Sequence, residues 1–366
     1  MSNERTYPPL KRLRIRIAQS FQWSGVNRLA RKFKTGAVIL YYHGVEAEIF
    51  DPQVQPIHLP FALFEKQVDY LRKNFDIISL PYLLDCFKNG YRLDPLSVLI
   101  TFDDGYKNNR EIVWPFLSSL EIPFSVFIST RHIEEGIRFP TYYLRAALFS
   151  SESTSLHVRG INESFDISTW EKRVKAKNYL EVLIKNSPQH VVAQVIQELK
   201  GSIPGERWAE INGRFHSDQP MTWDDVKHLS DSGVAIGSHC HDHFILHSQQ
   251  SRSEIHHQIA TSKGLIETKV GPCVYLSYPE GGSSGLDASV LGAMADCHYE
   301  LGFTSVGGEI REGLNPFLLP RLGTSPQFDH FRFNLNTSFR FNGSFRRWSR
   351  QFFEASESEM VRPELS

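Results

Sequence analysis

The chain has 366 residues, enough for one large domain or two ordinary ones, and its 41% hydrophobic and 22% charged residues are the balance of a globular protein. A formal net charge of −1 carries no basic footprint for nucleic acid, so no nucleic-acid partner is expected. The four cysteines (Cys86, Cys240, Cys273 and Cys297) show neither a disulfide framework nor a zinc-finger spacing, which suits a reducing compartment.

In chain order, residues 1–35 read as a basic extension. Nine Lys or Arg face one acid, Glu4, up to residue 36, with no apolar core of a secretory signal. Leu10, Leu13, Ile17, Phe21 and Leu29 fall at partly helical spacing. Residues 10–34 therefore suit peripheral contact with an anionic membrane surface, or else a solvated helix packed on the main domain. No stretch reaches the ~18 uncharged apolar residues needed to span a bilayer. The expected location is cytoplasmic, with possible attachment at the inner face of the membrane.

"GAVILYYHGV" (36–45) reads as a short buried strand ending in Tyr42 and His43. Residues 61–74 carry Phe61, Phe64, Val68 and Leu71 on one helical stripe. Residues 97–102 form a strand, a helix runs to about Leu120, and a second strand covers 124–129. This alternation predicts a parallel α/β architecture. Residues 131–220 lack that rhythm and read as a helical insertion over one end of a barrel. "TWDDVKHLSDSG" follows as a helix with Thr222 as N-cap and Asp225 three residues on. Strands at "VAIG" and "CVYLSY" come next. The main domain is expected over 36–330, with a C-terminal extension over 331–366 whose acidic tail reads as disordered.

Three predicted strands end in chemically loaded residues: Asp103–Asp104, the His239–His241–His243 group, and Tyr278–Pro279. Adjacent carboxylates repel and resist burial, so a compensating cation is the simplest partner for the aspartates. In α/β barrels such strand ends share one face, where carboxylate and imidazole can converge on a metal. Fully extended, His239 and His243 would stand about 13 Å apart. On a helical turn both reach one ion; alternatively His239 and His241 share a strand face. The spacing leaves both pairs open. With Asp104 as oxygen ligand, two imidazoles and one carboxylate leave positions for water or substrate, the pattern of a catalytic site. Asp103, adjacent and unligated, suits the general base.

"TFDDGY" (101–106), "GSHCHDH" (237–243) and "YPEGG" (278–282) resemble the NodB-homology polysaccharide deacetylases, carbohydrate esterase family 4. The likeness runs from about 36 to 325 through "IPFSVFIS", "MTWDDV" and "LPRLG". It implies a distorted (β/α)7 barrel with a helical insertion. It implies a divalent metal, commonly Zn2+, held by Asp104, His239 and His243, with Asp103 as base. Two departures stand out. Tyr278 occupies the place of the family's base-orienting Arg before Pro279, and Arg321 is the candidate substitute. The late Leu-x-x-His motif that supplies the acid is missing, but "LYYH" (40–43) has its spacing, similar to the circularly permuted biofilm poly-N-acetylglucosamine deacetylases. His43 is therefore the candidate acid. Tyr106, Tyr278, Pro279 and Arg321 are candidate substrate-binding residues, Tyr106 or a nearby backbone N–H facing the oxyanion.

The implied activity is removal of acetyl from an N-acetylated sugar of a polysaccharide or lipid-linked glycan in bacterial cell-surface glycan biosynthesis. The rivals are an O-acetyl esterase or small-amide hydrolase and, from another class, a glycan-binding pseudoenzyme.

Overall fold

The computed structural model describes residues 36–90, 93, 97–247, 250–282, 286–311 and 313–338. The basic segment 10–34 and the acidic tail lie outside the described residues. The central sheet is built from parallel strands β1 (Ala37–Tyr42), β5 (Ser97–Phe102), β6 (Ser125–Ile128), β9 (Ala235–Ser238), β10 (Tyr275–Ser277), β11 (Leu301–Phe303) and β12 (Arg321–Gly323). Their order is β11-β10-β9-β6-β5-β1-β12. A parallel bridge between Phe303 and Leu319, just before β12, brings the two edges together. The Leu319 N–H donates to the Gly302 carbonyl at 2.8 Å and the Thr304 N–H to the Leu319 carbonyl at 2.9 Å. The result is a nearly closed seven-stranded barrel, the (β/α)7 architecture expected. A two-residue strand, β4 (Asp76–Ile77), adds to the foot of β5, and β2 (Gly44–Glu46) pairs with β3 (His58–Pro60) beside the main sheet.

The strands read as unbroken apolar runs because both faces are covered: all six residues of β5 are buried. One face meets helices α1 (Phe61–Asn74), α9 (Trp223–Asp231) and α10 (Arg252–Lys269), with Val38, Leu40, Ile100, Phe64, Leu229 and Ile259 in one core. Alternate residues Ile39, Leu99, Phe127, Leu301 and Phe303 make a second core with Leu80 and Leu83 of α2 (Leu80–Asn89). α9 begins with the capping box expected of Thr222 and Asp225. Two more helices cover the sheet, α3 (Trp114–Ser119) and α11 (Ala288–Asp296), and α12 (Phe328–Ser338) packs on α1.

Between α4 (Thr130–Glu135) and α9 the chain builds a separate core. Helices α5 (Pro140–Phe149), α6 (Trp170–Asn186), α7 (Gln189–Gly201) and α8 (Gly205–Arg214) bury Leu144, Leu148, Leu180, Val195 and Leu199 together. This stretch is not wholly helical. An antiparallel hairpin, β7 (Ser155–Val158) with β8 (Glu163–Asp166), lies within it. Only Leu156 and Val158 of β7 are buried and β8 has no fully buried residue, so the two-residue alternation is too brief to read from sequence.

Candidate active site

Side-chain alternation delivers the site. Along β1 and β5 the register pairs Tyr42 with Phe102, so His43 and Asp103 leave the barrel side by side, and the Asp103 N–H donates to the Tyr42 carbonyl at 2.9 Å. Residues 39, 41 and 43 share one strand phase, as do 99, 101 and 103. The same phase places Gly237 and His239 at β9. A Cβ on Gly237 would fall 2.5 Å from the Phe127 ring, so only glycine fits that inward position.

The two aspartates stand in opposite surroundings. Asp103 is 3% exposed and accepts a two-pronged contact from Arg321, Nη1 to Oδ1 at 2.8 Å and Nη2 to Oδ2 at 2.7 Å. The remaining guanidinium N–H groups reach the Ser277 Oγ (2.7 Å), the Thr304 carbonyl (3.1 Å) and the Thr101 Oγ1 (3.4 Å). All N–H donors of this buried cation are thus used, and it also lies over the Tyr41 ring. Burial alone would raise the Asp103 pKa, but the charges of Arg321 and His239 and the hydrogen bonds from Arg321 outweigh it and hold it below the usual range.

Asp104 makes the contrasting case. Its Oδ1 is buried with no hydrogen-bond partner, yet faces the His239 Nε2 at 3.4 Å and the His243 Nε2 at 3.2 Å. Burial again opposes ionisation, and the two imidazoles hold the carboxyl well below its usual range. His239 turns its other nitrogen, Nδ1, to the Ser277 carbonyl at 2.7 Å, which leaves the Nε2 lone pair aimed inward. The donor atoms of Asp104, His239 and His243 all lie within 4.8 Å of one another. An orphaned carboxylate oxygen facing two imidazole nitrogens is a donor set that fits a divalent cation such as Zn2+.

His239 and His243 meet without a helix, at a ring-centroid distance of 5.0 Å. Positive φ at Cys240 (61°) and His243 (52°) folds the stretch back on itself instead. Asp104 (φ 74°) is likewise left-handed, so two of the three donors sit on backbone that non-glycine residues adopt only when the surroundings enforce it. His241 belongs elsewhere, its Nδ1 2.8 Å from the Thr130 Oγ1, and Cys240 is fully buried in the core.

His43 is half-buried. Desolvation lowers its pKa, and the charges of Asp104 and Asp103 oppose that in part. Its carbonyl is held by the Asn109 Nδ2 at 2.9 Å, from a π-helical turn over Asn109–Val113. Tyr106 is buried between His58 (ring centroids 4.7 Å) and Phe139 (5.3 Å). Burial first, then the Asp104 charge, pushes its hydroxyl pKa well above normal, so it stays protonated. Tyr278 is 1% exposed and donates to the Phe317 carbonyl at 2.8 Å, and Pro279 is buried. Arg321 is 1% exposed and wholly engaged with Asp103 and its neighbours.

Several site residues escaped the sequence reading. Ser277 serves both Arg321 and His239, and its only signal was a place in the inward phase of β10. Phe139 meets the His243 ring edge-on at 5.1 Å and stacks on the buried His132 at 4.1 Å. It lies at the N-terminus of α5, where nothing local marks it.

Comparison with known proteins agrees with this picture. The sequence pattern of the polysaccharide deacetylase family matches residues 91–302, and the chain belongs to that family of enzymes. Among curated proteins it is 28% identical over 89 residues to the poly-beta-1,6-N-acetyl-D-glucosamine N-deacetylase of Escherichia coli K12; the match is 24% of this chain and only 13% of that protein. The fold resembles the deacetylase PplD of Streptococcus pyogenes, solved in complex with acetate, at TM-score 0.55 and 15% identity over 84% of this chain and 100% of that one. IcaB of Ammonifex degensii gives TM-score 0.54 at 16% identity, over 82% and 97%.

Proposed function

We propose that the protein removes an acetyl group from an N-acetylated sugar of a polysaccharide or lipid-linked glycan. The observation that carries this reading is the split between two adjacent carboxylates. Asp103 is held through both oxygens by a buried arginine; Asp104 has a bare oxygen facing two imidazoles. Environments that separate neighbouring acids assign them different tasks.

In this reading Asp104, His239 and His243 hold a divalent metal, Zn2+ by the chemistry of the donors. When bound, it supplies an activated water and polarises the acetyl carbonyl. Asp103 takes the proton of the attacking water. Arg321 occupies one lone pair on each of its oxygens and leaves one on each free, while keeping the group ionised. Arg321 thus orients the base from β12, in place of the arginine that Tyr278 displaces. His43, beside both aspartates, protonates the departing nitrogen. Its lowered pKa makes it a ready donor once it carries a proton. The protonated Tyr106 hydroxyl is the candidate donor to the developing oxyanion.

The same reading takes 36–330 as the catalytic domain, with 131–220 inserted above its mouth. It takes the basic segment 10–34 as a means of approach to lipid-linked substrate. Among the described residues no helix is long and apolar enough to cross a membrane.

The test is acetate release from N-acetylglucosamine oligomers, a lipid-linked N-acetyl sugar and an O-acetylated glycan, with and without chelator. Chelator-sensitive release from the N-acetyl substrates supports the reading. Release from the O-acetylated glycan alone replaces it with an esterase. Glycan binding without release from any substrate replaces it with a pseudoenzyme.

A further inference from the structure

The two imidazoles that face Asp104 are held in different ways. His239 is 2% exposed, and its Nδ1 donates to the Ser277 carbonyl at 2.7 Å, so a hydrogen bond of its own fixes the ring. His243 is half-buried, and among the described residues its ring has no hydrogen-bonding contact besides Asp104. Only ring packing, against Phe139 at 5.1 Å and His239 at 5.0 Å, adds to it. The aim of His243 therefore falls to the backbone that carries it, which turns through left-handed φ at Cys240 and at His243 itself.

Non-glycine residues stay in that region only where the surroundings hold them. The start of α4 holds the first part of the turn. The Thr130 N–H donates to the Cys240 carbonyl at 3.3 Å, and the Arg131 N–H and Ser129 Oγ donate to the His241 carbonyl at 2.8 and 3.0 Å. The last link before His243 is Asp242, and one buried residue of α10 grips it. Gln258 is 4% exposed. Its Oε1 accepts from the Asp242 N–H at 2.8 Å, and its Nε2 donates to the Asp242 Oδ2 at 2.6 Å. Both ends of one amide are thus spent on one residue, which fixes its main chain and its side chain together. The other carboxylate oxygen of Asp242 takes the Arg131 Nη1 at 3.0 Å, but that arginine is 46% exposed and contributes little. Gln258 itself supplies no donor to the Asp104 group.

We infer that Gln258 is a positioning residue for His243, doing through the backbone of Asp242 what the Ser277 carbonyl does directly for His239. The inference rests on the reading of Asp104, His239 and His243 as metal ligands. It places part of the metal affinity on α10, a helix that lends no side chain to the barrel mouth.

The experiment is a zinc titration of the metal-free full chain by calorimetry, with the melting temperature of each metal-free variant measured alongside. Gln258→Ala removes both hydrogen bonds and keeps a good helix former. It should bind zinc about tenfold more weakly than wild type, the loss usual for a partner that orients a metal ligand. Gln258→Glu carries the test in case the first variant folds poorly. It keeps the acceptor for the Asp242 N–H but sets carboxylate against carboxylate, so zinc binding should weaken by a similar factor. Adding Asp242→Asn to Gln258→Glu exchanges donor and acceptor between the two side chains and should recover most of that loss. A role confined to packing would lower the melting temperature and leave zinc affinity at the wild-type value, which overturns the inference. Failure of the double variant to recover affinity overturns it as well. If wild type binds no zinc, the metal reading falls and this inference falls with it; if wild type binds and the single variants match it, only the inference falls.

Discussion

The barrel mouth and the insertion solve opposite problems. The mouth gathers buried polar groups: Asp103, Arg321, Thr101, Ser277, Asp104 and His239 are each at most 3% exposed, and nearly all of their polar atoms are spoken for. The insertion gathers aliphatic side chains such as Leu144, Leu180 and Leu199 and carries exposed ion pairs such as Lys172 with Asp166 and Arg207 with Glu210. Chemistry concentrated in a few residues leaves short motifs, whereas packing spread over many leaves only periodicity. Among the described residues, buried polar and aromatic contacts join the two regions. His58 of β3 lies 3.3 Å from Asp218 at the exit of the insertion and 3.2 Å from Glu46 of β2, and Phe139 wedges the entry against His243.

The contrast is sharpened most by Asp103→Asn. This change keeps the shape of the mouth, removes the base and leaves the buried Arg321 charge without its partner, so kcat should fall by roughly 10²–10⁴-fold with zinc content close to wild type, while unfolding free energy drops by roughly 3–5 kcal/mol. A fall of a fewfold would move the base elsewhere. Arg321→Met breaks a buried pair and strands the Asp103 charge. Unfolding free energy should drop by roughly 3–5 kcal/mol, read by denaturant titration, and the activity that survives should shift to higher pH as the Asp103 pKa rises.

Leu180→Ala tests the other region. Leu180 is fully buried in the insertion core, so the change should cost about 2–5 kcal/mol in local stability, read by hydrogen exchange over α5–α8. If the two cores are separate as packed units, zinc affinity at the mouth should stay near wild type. A large loss of zinc affinity would mean that the wedge at Phe139 transmits the damage.

The joint itself is pH-sensitive. Burial works against a charged His58, but hydrogen bonds and charges from Asp218 and Glu46 prevail and push its pKa up to about 9 from the ordinary 6.5. A pKa raised in the folded state stabilises fully below about 6.5, and the benefit is lost as pH rises through about 9. At most about 3 kcal/mol is at stake by linkage. Melting temperature should therefore decline between pH 6.5 and 9.5 in wild type, and less so in His58→Gln. Smallest of all, Thr222→Ala should cost about 1 kcal/mol at the N-terminus of α9, through loss of its capping box alone.

The family and the barrel were legible because β5 and "TFDDGY" are contiguous, and because the apolar runs of β1, β5 and β6 need no partner to be recognised. The grouping of Asp104 with His239 and His243 came from the family resemblance, since spacing alone left His239 with His241 open, and its geometry was not legible. Left-handed φ at Cys240 and His243 depends on the surrounding packing, and a helical turn was the simpler guess. Ser277 and Phe139 were invisible because their roles depend on strand phase and on a contact across the fold. The β7–β8 hairpin was missed because a strand of four residues with two of them buried is too short to show a readable period. Arg321 was singled out only as a substitute for the displaced arginine, since nothing in "LPRLG" says that β12 lies two places from β5, with β1 between them.

The most direct check of the account is a zinc titration of the metal-free full chain by calorimetry, beside Asp104→Ala and Asp103→Asn. The account predicts one tight site per chain, lost in Asp104→Ala and kept in Asp103→Asn. Equal loss in both variants, or tight binding that survives Asp104→Ala, would contradict the division of labour between the two aspartates.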